Sequence, residues 1–278
     1  MSKSTRQRAP KARLLISALF LFVHAAPAFG DFDHGRWNLL LSKHVIVSAD
    51  GLSTAVDYAS LGVNREPLQS YLEETSRVSR ASFDAWETSD QLAFLINLYN
   101  AATVELILDN MGSSDPIDSI RDIGSLLTSA WELERVALFG NLVTLDAIEH
   151  DMIRGWGRYN EPRIHFAVNC AAIGCPALRA EAYTGTALEA QLEDATRNFL
   201  SDRSRNYFDG RRLRLSSIFK WYREDIERGW GGSNALGEFV ARYSSELGLS
   251  VEQSNELTRG DMGIRFLSYD WGLNQVRD

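Results

Sequence analysis

The sequence is short of the residues that build disulfide frameworks and metal sites. It contains only two cysteines, Cys170 and Cys175, which lie close together in one segment. Such a pair excludes the multiple cross-links that stabilise small secreted domains. The four histidines beyond residue 30 are not spaced with these cysteines as the ligands of zinc sites are. We therefore expect no bound metal.

The sequence motifs of common nucleotide-binding and hydrolytic sites are also missing. There is no P-loop, no GxGxxG, no HExxH and no GxSxG. No segment repeats itself and none is of low complexity. Because nothing points to a nucleotide or to another bound group, we expect a protein without a cofactor.

The first thirty residues have the three parts of a secretory signal peptide. Residues 1–13 contain five basic residues and no acidic one, residues 14–23 form a largely apolar run, and small residues follow up to Gly30. The apolar run is about half as long as the roughly 20 residues that a membrane-spanning helix needs. We expect cleavage after Gly30 and a periplasmic or secreted protein without stable membrane insertion after cleavage.

The mature chain is acidic. The full sequence has 29 basic and 37 acidic residues and a formal charge of −8, and removal of residues 1–30 takes away five basic residues and no acidic one, so the charge falls by five, from −8 to −13. Binding to nucleic acid requires a basic surface that neutralises phosphates. A nucleic-acid partner is therefore not expected.

Residues 31–278 predict one globular domain of the α+β class. Strand and helix patterns alternate without the spacing of βαβ units and without a Pro/Gly/Ser-rich linker, which predicts a mostly antiparallel sheet. The strongest element begins at a capping-box pattern, Thr88–Gln91, and continues at helical spacing to Met111. It is apolar on nearly every side, so residues 88–111 are predicted to form the central buried helix.

Three local patterns follow the central helix. A two-residue turn at Gly140–Asn141 predicts a hairpin. Thr144 is a capping residue, and the residues after it predict a helix through Arg154. Residues 163–170 form a short apolar run that predicts a buried strand.

Two carboxamides lie within the central helix. Asn97 and Asn100 are three residues apart and hence on the same face. Burial of an amide without hydrogen bonds costs on the order of a few kcal/mol. Two interpretations remain open: both side chains brace neighbouring loops, or both line a substrate site and donate to an oxyanion.

A second polar group falls on the helix that Thr144 is predicted to cap. Asp146, His150 and Arg154 recur every four residues and share one stripe, with Glu149 beside them. A carboxylate of Asp146 or Glu149 would hold one ring nitrogen of His150 and fix the tautomer that a catalytic base needs. Arg154 would then bind a substrate carboxylate. The same spacing also fits a solvated ladder of ion pairs without a catalytic role.

The cysteines allow three interpretations. In an exported protein they form a disulfide across a short loop, which chain entropy makes worth about 2 kcal/mol. Alternatively Cys170 is a catalytic nucleophile, or both thiols are inert. If residues 163–170 form a strand, His165 and Cys170 face opposite sides of it, so His150 is the better base and His165 is assigned to substrate binding.

Five groups of residues follow one another in an order typical of one protein family. They are Phe94–Ala101, Leu145–His150 with Arg154, Ile164–Cys170 with Gly174–Leu178, Leu215–Asp225, and Ile264–Trp271. In this order they resemble domain-of-unknown-function family 547, over about residues 37–274. The family occurs in exported bacterial proteins and in multidomain plant and animal proteins, and it brings no established activity.

The resemblance implies a single α+β unit in which the candidate residues above belong to the family's signature. Plant relatives tend to carry Ser at the position of Cys175, which implies that Cys170 is the nucleophile and argues against an obligatory disulfide. The order of helix and strand also resembles, distantly, papain-like and transglutaminase-like folds. In those folds the nucleophilic cysteine begins the central helix, whereas here the cysteines follow it.

The sequence therefore predicts one of two functions. The first is a thiol-dependent hydrolase or acyl-transferase that acts on amide bonds of a peptide or an envelope-derived substrate, with Cys170 as nucleophile, His150 as base, and Asp146 or Glu149 orienting the base. The second is a non-catalytic binding or scaffold domain with a structural Cys170–Cys175 pair. A bond between the two sulfurs would remove the nucleophile and favour the second.

Overall fold

A computed structural model of the chain describes residues 31–111, 117–125, 127–155 and 157–277. The signal peptide predicted over residues 1–30 and its cleavage position lie outside the described residues. The described chain is a mixture of helices and short strands, so the predicted α+β class is confirmed.

The secondary structure is mostly helical. The α-helices are α1 Gly35–His44, α2 Tyr58–Val63, α3 Glu66–Ser76, α4 Arg80–Asp84, α5 Thr88–Met111, α6 Leu188–Ser201, α7 Ile218–Trp221, α8 Arg223–Ile226, α9 Leu236–Ala241 and α10 Val251–Arg259. The strands are β1 Val45–Val47, β2 Thr54–Val56, β3 Val136–Leu138, β4 Asn141–Val143, β5 Tyr207–Phe208, β6 Leu213–Leu215 and β7 Ile264–Phe266. A π-helix spans Ala147–Arg154, and 3₁₀-helices cover Ile120–Asp122, Ala130–Glu132, Pro162–Phe166 and Trp230–Gly232.

Helix α5 is the central buried helix, as predicted for residues 88–111. Helices α2 and α3 and the π-helix pack around it, and its apolar side chains are buried on every side. By length and composition α5 could cross a membrane, but 94% of its apolar window is buried inside the protein. Gln91 does not close the predicted capping box, because its Oε1 accepts hydrogen bonds from the side chains of Arg158 and Tyr159.

The prediction of a single sheet is wrong, although the strand pairing is mostly antiparallel, as predicted. The strands are two or three residues long and form three separate small sheets. Strands β1 and β2 form one antiparallel pair and β3 and β4 another, while β7 joins the β5–β6 hairpin parallel to β6. Strands this short bury little apolar surface, so the core is built mainly from helices.

The β3–β4 turn lies one residue earlier than predicted. Leu138 pairs with Asn141, so the central turn residues are Phe139 and Gly140, with φ angles of +51° and +79°. Two positive φ values are typical of the hairpin turn whose twist matches that of the strands. The Phe139 ring packs against Phe83 at 5.1 Å, and this burial offsets part of the cost of a positive φ.

The strand predicted over residues 163–170 is also wrong. Glu161 caps a 3₁₀-helix that begins with Pro162, and an irregular loop follows. Side-chain amides take the place of a neighbouring strand, because Asn100 donates to the Ala167 carbonyl and accepts from the Asn169 N–H. Residues 163–169 are all buried, so an apolar run alone did not distinguish a strand from a braced loop.

Two apolar clusters make up the interior. The first surrounds α5, and nearly all of its side chains come from residues 37–192. The second is built from Phe166, the end of α6, β6 and α9. Since Ile164 and Ala167 belong to the first cluster and Phe166 to the second, the loop that carries the candidate residues passes along their junction.

A buried histidine in the first cluster makes stability depend on pH. The His34 ring hydrogen-bonds to the Tyr71 hydroxyl at 2.8 Å, and burial lowers the pKa of His34 to about 4, although Asp33 opposes the shift. In the unfolded chain His34 therefore binds a proton below about pH 6.5, whereas in the folded chain it binds one only below about pH 4. We expect urea unfolding to show a loss of about 3 kcal/mol from this residue between pH 7 and pH 4.

The variant His34→Gln keeps a hydrogen-bonding group but cannot titrate. Its free energy of unfolding should fall less steeply with acid than that of the wild type over the same range. If the free energy of unfolding of the two proteins depended on pH identically, folding would not lower the pKa of His34.

Candidate active site

A cleft of about 250 Å³ opens at the junction of the two apolar clusters. The π-helix, the loop after His165, helix α7 and the segment after β7 form its walls. Six aromatic side chains line it: Tyr99, Trp131, Trp221, Tyr222, Tyr269 and Trp271. A small, largely apolar cleft with a few polar groups is the usual form of a small-molecule site.

The π-helix presents three of the candidate polar residues to the cleft. Thr144 caps it as predicted, since its hydroxyl accepts from the Ala147 N–H at 2.9 Å. Asp146, Glu149 and His150 line the cleft. The Asp146 carboxylate is 3.7 Å from His150 Nε2, too far for a hydrogen bond, so it does not fix the tautomer of that ring. π-Helices are rare and occur often at functional sites.

Arg154 turns away from the cleft and into an ion pair. Its Nε donates to Asp225 Oδ2 at 2.5 Å, and its Nη1 lies 2.5 Å from His150 Nδ1. The guanidinium is therefore committed to groups of the protein. It does not line the cleft, which disfavours the predicted contact with a substrate carboxylate.

Asp225, which the sequence analysis did not single out, joins the two histidine-bearing segments. Its Oδ2 accepts hydrogen bonds from His165 Nε2 at 2.8 Å and from Arg154. Burial alone would raise the pKa of this carboxyl, but the two hydrogen bonds outweigh burial and hold its pKa well below the usual range. Asp225 is therefore ionised at neutral pH.

His165 has the geometry of an oriented base. Its ring is fully buried and stacks on Tyr222, with ring centroids 3.7 Å apart. Burial lowers its pKa, although the hydrogen bond to Asp225 opposes the shift, so the ring is neutral at pH 7. With the proton on Nε2 facing Asp225, Nδ1 carries a lone pair, and no residue that the structure describes hydrogen-bonds to it.

The two cysteines are joined by a disulfide at the edge of the same cleft. In this state Cys170 is not a nucleophile, so the structure agrees with the disulfide interpretation of the pair. Cys175 is 3% exposed and accepts from the Cys170 N–H at 2.9 Å, whereas Cys170 is partly exposed. The Tyr269 hydroxyl lies 3.2 Å from both sulfurs.

Neither carboxamide of helix α5 lines the cleft. Asn97 is completely buried and exchanges two hydrogen bonds with the backbone of Tyr183, at 2.7 and 3.0 Å. Asn100 holds the backbone of the loop that carries His165 and Cys170. Both therefore brace loops, which was one of the two interpretations, and their predicted contact with substrate has no support in the geometry.

Glu149 lines the cleft, and the hydroxyls of Tyr99 and Tyr222 are within hydrogen-bonding reach of its carboxylate. Its side chain is 4% exposed, and its Oε1 atom has no hydrogen-bond partner among the described residues. Burial, reinforced by the negative charge of Glu149, raises the pKa of the neighbouring hydroxyls of Tyr99 and Tyr222. From this position Glu149 does not orient the imidazole ring of His150.

The cleft brings together Cys170, His165 and Glu149, but their geometry favours roles that differ from those predicted from the sequence. The prediction that His165 and Cys170 face opposite sides depended on a strand that is not formed, and both residues line the cleft. Asp225 was missed, since sequence spacing does not reveal a contact across 60 residues. The available signal was its place in Leu215–Asp225, one of the five groups of residues that carry the family resemblance.

Residues 83–200 match the model of a family described as protein of unknown function, DUF547. The resemblance inferred from the sequence is confirmed over this range, which includes the π-helix, His165 and both cysteines. No curated protein and no solved structure matches the chain, so a papain-like or transglutaminase-like fold is not shown. Within the described ranges, no group of three or more His, Cys, Asp or Glu side chains is placed to hold a metal ion.

Proposed function

We propose a function from the chemistry of the cleft, because the family whose model residues 83–200 match, DUF547, is described as of unknown function. The cleft is the active site of a thiol-dependent hydrolase or acyl-transferase that acts on amide bonds. Cys170 is its nucleophile, His165 its base, and Asp225 the group that orients the base. The observation that carries the proposal is the unpartnered Nδ1 of a histidine whose other nitrogen a carboxylate holds, in the same cleft as Cys170.

The nucleophile becomes available when the disulfide is reduced. A dithiol reductant supplies two electrons and two protons, so its own sulfurs become a disulfide while Cys170 and Cys175 become thiols. Cys170 is the more exposed of the two and is therefore the sulfur that meets a substrate.

The reaction then follows the pattern of covalent catalysis. His165 Nδ1 takes the thiol proton, and the Cys170 sulfur bonds to the carbonyl carbon of the amide. The carbon–nitrogen bond breaks, and the leaving amine takes the proton back from His165. Water or a second amine then releases the acyl group from the sulfur. Asp225 stabilises the imidazolium that exists between these steps.

We further propose that the protein is exported and that its substrate is a peptide or an envelope-derived compound. The support for export is the pattern of residues 1–30, and the support for such a substrate is the small aromatic cleft of an acidic protein. An acidic surface disfavours polyanionic partners such as nucleic acid.

The disulfide itself favours a second function, a non-catalytic binding domain whose cleft holds a ligand without reacting with it. In an oxidising compartment a short-loop disulfide persists and stabilises the loop that carries it. The cleft and its aromatic lining serve either function equally well.

Acyl transfer to Cys170 separates the two functions. After reduction and removal of the reductant, p-nitrophenyl acetate should release a burst of p-nitrophenolate, and mass spectrometry should find the acetyl group on Cys170. The oxidised protein and Cys170→Ala should show no burst. Cys175→Ala, which cannot form the disulfide, should show the burst without reductant. Absence of acetylation from both the reduced wild type and Cys175→Ala would leave only the binding function.

A further inference from the structure

A buried carboxylate with one unpartnered oxygen lines the cleft. Glu149 is 4% exposed, it lines the cleft, and its Oε1 accepts no hydrogen bond from any described residue. The hydroxyls of Tyr99 and Tyr222 are within hydrogen-bonding reach of the carboxylate, but they are neutral. Burial of a charge is strongly unfavourable unless a cation balances it, so buried carboxylates are normally paired with one. We infer that Glu149 binds the primary ammonium group of a ligand, which the folded protein alone does not supply.

Aromatic rings complete the pocket around this carboxylate. The hydroxyls of Tyr99 and Tyr222 lie beside Glu149, and their rings and that of Trp131 line the same cleft. Aromatic faces attract cations, and the attraction grows when water is excluded. A carboxylate combined with aromatic rings is therefore a favourable setting for a small organic cation.

Positive side chains do not compete for Glu149. Among the described residues that line the cleft there is no lysine and no arginine. The charge of Glu149 acts on Arg154, but the Arg154 guanidinium is bonded to Asp225 and lies close to His150. The chain as a whole is acidic, and a cleft of one sign concentrates ligands of the opposite sign.

The chemistry of the pocket selects an ammonium group over other cations. A metal ion needs several oxygen or nitrogen ligands, and the described part of the chain places no group of three around this point. A guanidinium is best held by two oxygens in one plane, whereas a single accepting oxygen suits the compact ammonium with its three donors. Aromatic rings then surround the methylene groups that carry the ammonium.

This inference rests on the proposed function in one respect, which is that the ammonium group is part of the substrate. Glu149 and Cys170 line one cleft of about 250 Å³, so an ammonium at Glu149 belongs to the same small molecule as the carbonyl that Cys170 attacks. The substrate class is then an acyl compound with a primary amine on its acyl part, such as an amide of an amino acid or of a short peptide.

Direct binding tests the pocket without catalysis. Isothermal titration of Cys170→Ala, which cannot react, should show that n-butylammonium binds at least about tenfold more tightly than the neutral n-butanol of similar size. Glu149→Gln, introduced into Cys170→Ala, should remove this preference, and Glu149→Asp, which keeps the charge, should retain part of it. Glu224→Gln, at an exposed carboxylate on helix α8, should leave binding unchanged.

Equal binding of the cation and the alcohol would overturn the inference, and so would an unchanged preference in Glu149→Gln.

A second experiment, on the reduced wild type, connects binding to reaction. A p-nitrophenyl ester of an amino acid should acylate Cys170 at least about tenfold faster than its uncharged N-acetyl form. If the ammonium binds but neither ester acylates Cys170, the proposed function fails while the ammonium site stands. If both esters react equally fast, the proposed function stands and the substrate assignment fails.

Discussion

Replacing Asp225 with asparagine is expected to lower kcat/KM for the acetylation of reduced Cys170 by about 10²–10⁴-fold. The carboxylate of Asp225 accepts the Nε2–H of His165 at 2.8 Å and is ionised. Asparagine has nearly the same shape but no charge, so it stabilises the imidazolium less and permits the other tautomer. With the proton on Nδ1, His165 presents a donor to the cleft and no longer a base.

The pH profile distinguishes this effect from simple loss of structure. The hydrogen bond and charge of Asp225 raise the pKa of His165 against the larger effect of burial. In Asp225→Asn that support is gone, so the acidic limb of the kcat/KM profile should move to lower pH than in the wild type. A disordered site would lose activity at every pH without moving the limb.

A neighbouring acidic residue supplies the control. Glu224 is next to Asp225 on helix α8, but its side chain is 82% exposed and lies 3.5 Å from Arg228. Glu224→Gln should change kcat/KM by less than about twofold, since exposed ion pairs contribute little. A rate in Asp225→Asn within about threefold of the wild type would exclude His165–Asp225 as the catalytic pair.

The parts of the fold that could be predicted from the sequence are those set by local periodicity. Helix α5 was placed correctly because its apolar residues recur at helical spacing over 24 residues. The hairpin near Gly140 was found because the residues that favour a turn act only on their immediate neighbours. The arrangement of the strands was not predictable, because segments of two or three residues leave the choice of partner to long-range packing.

In the site, too, local spacing was predictable from the sequence and long-range contacts were not. The stripe of Asp146, His150 and Arg154 follows from positions four residues apart, and it exists in the structure, although on a π-helix. The pairing of His165 with Asp225 brings together distant segments, and no local pattern indicates it. The error over residues 163–170 then removed His165 from consideration as a base, so one mistaken strand changed the expected mechanism.

Side-chain amides explain why this loop can be buried without being a strand. A buried backbone needs hydrogen-bond partners, and in a sheet the neighbouring strand supplies them. Here Asn100 supplies two and Asn169 binds the backbone of Ala171 and Pro176. Asn100, which the sequence analysis considered as a substrate ligand, therefore holds the loop that carries the reacting groups.

Asn97 plays the corresponding part for the segment before helix α6, and its replacement should destabilise the protein strongly. Asn97→Ala leaves the buried N–H and carbonyl of Tyr183 without partners, which should lower the free energy of unfolding by about 2–4 kcal/mol in urea. The matched control is Asn255→Ala, at an exposed position of helix α10, with an expected change within about 0.5 kcal/mol. Because Asn97 lies outside the cleft, the folded variant should still acetylate Cys170 at close to the wild-type rate. A stable but inactive Asn97→Ala protein would reverse this assignment and return the carboxamide to the reaction itself.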